Sequence, residues 1–327
     1  MVAETFRLRI NISGSLTDGA PKAPPSASCQ TLAEILKTNY VKIQLSIFLF
    51  LNIFILTKSQ NKRFLYEYKY VPDSTKNENI ETEIMALDIY KGFSKFYSYE
   101  KFKSDSLQKA IADKSISATG MIETSRTENS RGKINYIISK KYPDYETNYL
   151  TRLGQTKYIV KEERKLHWKI LENKEKLDKY VVQKATTEFA GRKWIAFFTT
   201  EIPLQDGPYK FQGLPGLILK ISDVNNNHSF SLVGIQNISN IEKTKEIDFV
   251  FEFGNSQNIS NKQYRKIFKE YRKDPNKSIR QTLKDLDEIN ENGKMIDKNE
   301  YLRVREKRIL EQNKRNNNIL EIDLLYP

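Results

Sequence analysis

Between Arg63 and Gln236 the character of the chain changes at every second residue, and no other feature limits its fold as strongly. In the stretch Phe64 to Val71, Phe64, Tyr66, Tyr68 and Tyr70 fall on one side, with Glu67 and Lys69 on the other. Successive side chains of a strand point to opposite faces, so this spacing predicts a strand with one face covered. Pro72-Asp73-Ser74 ends it. Met85, Leu87 and Ile89 alternate with Ala86, Asp88 and Tyr90, and Lys91-Gly92 marks a turn before Phe93 to Tyr99. Further strands are expected over Ile134 to Ser139, Tyr158 to Glu162, Lys165 to Ile170, Tyr180 to Phe189, Trp194 to Thr200, Leu217 to Ser222 and Phe230 to Gln236. In Lys165 to Ile170 the inward positions are Leu166, Trp168 and Ile170, and His167 faces out. About nine short strands without regular intervening helices imply antiparallel pairing. The expected class is mainly β, a β-rich α+β fold, built as a curved antiparallel sheet or open barrel with C-terminal helices. One helix is expected within it, over Ser104 to Lys114.

The pattern changes near Asn255. Ser260 is a natural N-cap, and Tyr264, Ile267, Phe268 and Tyr271 recur at helical spacing before Asp274-Pro275 stops the helix. Ile279, Leu283 and Leu286 repeat the spacing, and Glu300 to Arg315 reads as a charged helix. Lys262 to Arg315 holds 17 Lys and Arg against 10 Asp and Glu, about half of the formal charge of +13 on the 327-residue chain. Interleaved Glu300, Glu306 and Glu311 suit i, i+4 pairing on a solvated helix, and Arg303, Arg305, Lys307, Arg308, Lys314 and Arg315 suit an anionic partner.

The N-terminal part carries a different signal. Lys37 and Lys42 precede the apolar run Ile43 to Leu56, which Thr57-Lys58-Ser59-Gln60 follows. A basic start, an apolar run of about 14 residues broken only by Gln44, Ser46 and Asn52, and small residues after it fit a secretory signal peptide over 37–59, cleaved near Ser59, with an uncleaved anchor or a buried helix as the alternatives. A spanning helix needs about 20 apolar residues, so the run is expected to meet the membrane only as an export signal. Residues 1–36, with Gly14, Gly19, Pro21, Pro24 and Pro25, read as an unstructured prefix, and the natural start is expected near Leu36. The expected organisation is therefore a prefix over 1–36, the signal over 37–59, an antiparallel β domain over 60–257 and a basic helical arm over 258–327. The single cysteine, Cys29, lies in the prefix, so no disulfide framework and no multi-cysteine zinc site is available.

Gly213-Leu214-Pro215-Gly216-Leu217-Ile218-Leu219 is the most distinctive local motif. Pro215-Gly216 suits the centre of a type II turn, with an apolar strand following. A phosphate-binding glycine loop opens a helix and supplies Lys-Ser or Lys-Thr; this one does neither. Glu201 and Asp206 flank Pro203 in a loop and read as surface charges, with paired-carboxylate chemistry as the lesser alternative. His167 and His228 are read as surface and turn residues. No catalytic residue, metal ligand or cofactor is expected.

The motif resembles the name-giving signature of the GLPGLI family of Bacteroidota proteins. The resemblance extends to Phe189-Ala190-Gly191-Arg192-Lys193-Trp194, to Thr200-Glu201-Ile202-Pro203 and to Gly207-Pro208-Tyr209-Lys210-Phe211. Val182 departs from a position where many members carry cysteine. The resemblance implies export to the periplasm or beyond and a β-rich envelope protein, with no established catalytic residues to carry over. The expected role is non-enzymatic binding of an apolar ligand, such as a lipid or lipopolysaccharide, or of an envelope protein. Alternatives are a structural subunit of an outer-membrane assembly and, third, a periplasmic hydrolase. Nucleic acid is not expected as a partner.

Overall fold

A computed structural model describes residues 61–119, 132–238, 255–291 and 293–326. The chain divides into two units, Met1–Lys58 and Ser59–Pro327, and all described residues lie in the second. Cys29 and the segments expected to be a prefix, over 1–36, and an export signal, over 37–59, lie outside the described residues.

The second unit is mainly β. Its strands are β1 (Lys62–Tyr70), β2 (Glu81–Ile89), β3 (Phe93–Ser98), β4 (Ile137–Lys141), β5 (Glu146–Leu153), β6 (Thr156–Lys161), β7 (Lys169–Leu177), β8 (Tyr180–Phe189), β9 (Arg192–Thr199), β10 (Leu217–Asp223), β11 (His228–Asn237) and β12 (Gln257–Ser260). All twelve form one sheet in the order β12-β6-β5-β4-β3-β2-β1-β11-β10-β9-β8-β7. Pairing is antiparallel except between β12 and β6.

This order is two meanders fused along β1 and β11. The first runs outward to β6; the chain then crosses to β7 at the far edge and returns. Residues 162–168 make the crossing, and eight residue steps reach at most about 28 Å. Ten strand spacings at ~4.8 Å would set β6 and β7 about 48 Å apart in a flat sheet. The sheet therefore has to curl. Phe96 on β3 meets Phe230 on β11 edge-on at 5.8 Å, although three strand spacings, ~14 Å, lie between them along the sheet. The edges do not pair, so the result is an open, barrel-like sheet.

The expected alternation fills its interior. Tyr66 pairs with Met85 and Phe64 with Leu87 across β1 and β2, and Tyr68 pairs with Phe230 across β1 and β11. All six are buried. The Tyr66 hydroxyl donates to the Ile218 carbonyl at 2.7 Å, linking β1 to β10. Helix α1 (Tyr99–Thr119), longer than the expected Ser104 to Lys114, follows β3. Its first turn lays Tyr99 and Phe102 over the Arg63 guanidinium, at 5.1 and 5.2 Å, while Arg63 holds Asp88 through two bonds of 2.7 and 2.9 Å.

Beyond β12 come α2 (Asn261–Lys273), α3 (Lys277–Thr282), the hairpin β13 (Glu288–Glu291) and β14 (Lys294–Asp297), and α4 (Lys298–Arg315). Ser260 caps α2 in a reciprocal box with Gln263. The chain after α4 does not continue as a helical arm. Residues 316–324 return to the sheet, where Leu320 and Leu324 are buried, and end in a short 3-10 turn, Ile322–Leu324.

One expected strand is absent. Residues 165–168 alternate as predicted, with Leu166 and Trp168 packed on the core and His167 exposed, but they lie in the crossing and have no neighbour to pair with. β7 begins only at Lys169.

Candidate functional site

The connection from β9 to β10 carries the signature, and its central part, Asp206 to Phe211, is buried beneath the curved sheet. Lys140 meets it there. On β4 the inward positions are Ile138 and Lys140, so the lysine occupies a place where the alternation calls for an apolar residue. Its ammonium donates to Asp206 Oδ1 at 2.6 Å and to the carbonyls of Gly207 and Phe211 at 2.8 and 3.0 Å. Those three acceptors use its three protons. Asp206, 0% exposed, receives the Gly207 amide on Oδ1 at 2.7 Å, and Ser94 Oγ and the Tyr142 hydroxyl on Oδ2 at 2.6 and 2.5 Å. A carboxylate offers about four acceptor positions, and all four are taken.

A second buried cluster lies at Lys210. Its ammonium bonds Glu162 Oε2 at 2.8 Å and the Glu321 carboxylate, and stands 4.7 Å from the centre of the Tyr149 ring. Tyr209 donates to Glu321 at 2.6 Å. Arg164 binds Glu162 through Nε at 2.8 Å and Nη2 at 2.7 Å, and reaches Glu321 at 2.8 Å and Asp323 at 3.2 Å. Burial works against the charged form of Glu162, but Arg164 and Lys210 outweigh it and bring the carboxyl down to about 2. Glu321 is likewise held below its usual range against the penalty of burial.

The third cluster ties the tail to β11. Arg192 donates to the Leu320 and Ile319 carbonyls at 3.0 and 2.7 Å and to Asn318 Oδ1 at 2.7 Å, and pairs with Asp223 at 3.2 Å. The Asn318 carbonyl, which can only accept, lies 3.0 Å from His228 Nε2. That nitrogen therefore carries the proton, and Nδ1 accepts from the Tyr68 hydroxyl at 2.7 Å. Burial first, then Arg192, pushes His228 down to about 3. Glu83, pushed up chiefly by burial, accepts the Lys133 and Ile134 amides at 2.8 and 3.1 Å and so fixes the chain entering β4.

These positions correct three expectations. His228 is buried, 1% exposed, rather than a surface or turn residue, because the returning tail covers it. Glu201 is an exposed loop charge as expected and accepts the Val181 amide at 2.7 Å, but Asp206 is buried against Lys140 rather than at the surface, and the two carboxylates are not a working pair. The type II turn at Pro215-Gly216 is also absent. The positive φ falls on Gly213, at 88°, and the Gly216 amide bonds the Leu214 carbonyl at 2.7 Å, a three-residue turn about Pro215. Gly216 is required by contact instead, since a Cβ there would lie 2.0 Å from the Thr199 carbonyl oxygen. Leu214, Leu217 and Ile218 are buried in the core, and the Leu217 amide bonds the Ile202 carbonyl. His167 is exposed as expected. Among the described residues no group of three or more His, Cys, Asp or Glu side chains converges as a metal site.

Sequence reasoning passed over Lys140, Glu162, Arg164, Lys210 and Glu321. For Lys140 a signal exists, a charge in phase with the apolar positions Tyr136 and Ile138. Lys210 likewise lies between Tyr209 and Phe211. Glu321 lies between Leu320 and Ile322 in the same way, but nothing local points to its lysine partner, 111 positions away.

Comparison with known proteins bears on this same region. Residues 106–220 match the family model described as "Protein of unknown function (Porph_ging)". The match covers β4 to β9 and reaches into β10, and so includes Lys140, Asp206 and the signature. No curated protein matches the chain. Two crystal structures of PNGF-II are similar at 13% identity, with TM-scores of 0.44 and 0.41. The alignments cover 63% and 62% of this chain and 32% and 31% of those chains, so the chain spans about a third of their length.

Proposed function

We propose that the chain is an exported cell-envelope protein that acts by binding rather than by catalysis, with the curved sheet as a rigid scaffold for an envelope protein partner. One observation carries this reading: the buried charged groups of the sheet interior are spent on the chain's own segments. Lys140 and Asp206 saturate each other and the signature loop. Lys210, Glu162 and Arg164 hold the tail through Glu321. A catalytic acid or base needs an unfilled position toward its substrate, and Asp206 has none. The hydrolase reading loses its motive there.

The same packing ranks the two binding readings. Tyr209, Phe211 and Leu214 cover the aromatic side of the sheet, where an acyl chain would have to lie, and Phe211 sits 4.7 Å from the Trp194 ring centre. An envelope partner on the outer surface therefore comes before an apolar ligand such as lipid or lipopolysaccharide inside. The finer likeness to GLPGLI proteins, carried by residues 189–219, supports export and an envelope location, as does the apolar run Ile43 to Leu56.

Cell fractionation, N-terminal sequencing and cross-linking in intact cells test the proposal together. The expected result is a chain beginning near Gln60, outside the cytoplasm, linked to a distinct envelope protein. An uncleaved cytoplasmic chain overturns the export reading. A processed monomer that yields stoichiometric lipid on extraction replaces the scaffold with a carrier.

A further inference from the structure

Helix α2 lies against the sheet edge through one face and turns a very different face to solvent. At about 100° per residue, Tyr264, Ile267, Phe268 and Tyr271 group on one side, and all four join the smaller apolar core or lie buried or half-buried beside it. Lys262, Lys266, Lys269 and Lys273 fall within an arc of about 60° on the opposite side. All four are exposed. Over eleven residues at 1.5 Å each they form a row about 16 Å long.

The row has little counter-charge: Glu270, four residues beyond Lys266, is held down mainly by Lys277 and only then by Lys266. Among the described residues none of the four makes an ion pair; Lys269 reaches only the Tyr326 carbonyl, at 3.2 Å. The helix's acid, Glu270, is bonded to Lys277 at 2.9 Å. Lys262 with Lys266, and Lys269 with Lys273, are like-charge i, i+4 pairs, which destabilise a helix where Glu-Lys pairs would support it. Helix α4 follows the ordinary rule, with Glu300, Glu306 and Glu311 set among its basic residues. The row is also held in place, because α2 is capped at Ser260 and tied by Arg265 to Asp323 at 2.7 Å and by Arg272 to the Asn313 carbonyl at 2.7 Å.

We infer that this face of α2 is a docking surface for an anionic lipid membrane. The charge is complementary, and the form of the surface selects among anions. Lysine ammonium groups are point charges without the planar fork that grips one carboxylate or phosphate in two places. The row carries no aromatic ring for stacking nucleic-acid bases. A line of point charges on a convex helix suits a spread of headgroups, to which each lysine near the surface adds. The inference is independent of the proposed export, since anionic headgroups face several compartments.

The test is co-sedimentation of the full chain with vesicles of phosphatidylcholine alone and with 30% phosphatidylglycerol, at low and high salt. The pure vesicles account for whatever the Ile43 to Leu56 run contributes. The expected result is salt-sensitive preference for the anionic vesicles, falling at least ~10-fold in the Lys262→Gln/Lys266→Gln/Lys269→Gln/Lys273→Gln variant. Replacing the same four by arginine retains binding. The variant Arg303→Gln/Lys307→Gln/Lys314→Gln/Arg315→Gln, which removes an equal charge, lowers it less than ~3-fold. Unfolding is checked by circular dichroism, with the arginine set as the folded reference. Equal losses from both glutamine sets, absence of anionic preference in the natural chain, or displacement by duplex DNA at matched phosphate concentration overturns the assignment.

Discussion

Lys140 and Lys210 are both buried beneath the same curved sheet, the first binding the β9–β10 connection and the second belonging to it, and their pKa values move in opposite directions. Lys140 is lowered because burial outweighs its single carboxylate, Asp206. Lys210 is subject to the same burial penalty, yet Glu321 and Glu162 together overcome it and raise it. The difference lies in the acceptors. Lys140 completes its shell with two neutral carbonyls, whereas Lys210 has two carboxylates that Arg164 also neutralises. One lysine thus pins a loop through an isolated pair, and the other secures a distant tail through a shared network.

The comparison breaks first at its isolated member. Asp206→Ala leaves a buried ammonium without counter-charge and strips the acceptor from Ser94 and Tyr142, and its expected cost is about 3–5 kcal/mol in chemical denaturation. Glu321→Ala leaves Lys210 with Glu162, so the expected cost is about 1–3 kcal/mol, with residues 316–326 exchanging amide hydrogens faster. Equal losses for the two variants would mean that the second carboxylate adds nothing.

Acid sharpens the same contrast. Glu162 and Glu321 titrate lower in the fold than in the unfolded chain, where a glutamate sits near 4.5. Their stabilisation is therefore complete above about 4.5 and is lost as pH falls toward 2. The tail should become accessible to pepsin across that window while amides of β1 and β2 remain protected. Simultaneous release of tail and sheet would show that the network does not act locally.

Much of this arrangement was open to sequence reasoning. Phe64 to Tyr70 reports its own strand because burial alternates with the residues, and Ser260 announces α2 through a local capping box. β5 escaped because Thr147, Leu150 and Thr151 are buried out of strict alternation. Lys165 to Trp168 misled because alternation records which side chains are covered, not whether a neighbouring strand exists, and Ile170, expected inward, is exposed on β7. The polar clusters were least legible: Arg164 to Glu321 and Lys140 to Asp206 join residues 157 and 66 positions apart. Periodicity shows that a charge points inward; only the curling of the open sheet selects its partner.

The smallest expected effect lies at the exit of the pinned loop. Gly213 has φ of 88°, but a Cβ there meets nothing within 4 Å. Gly213→Ala therefore imposes backbone strain without a clash, about 1 kcal/mol by the preference of L residues against the left-handed region. The Gly213 amide bonds the Gln205 carbonyl at 3.0 Å, just before Asp206. If Lys140 alone secures the loop, the alanine variant should lose that amount in urea denaturation and keep the slow exchange of the Gly207 amide. If exchange at Gly207 rises as it does in Asp206→Ala, the glycine's geometry and the buried pair form one cooperative unit, and the contrast between an isolated pair and a shared network no longer holds.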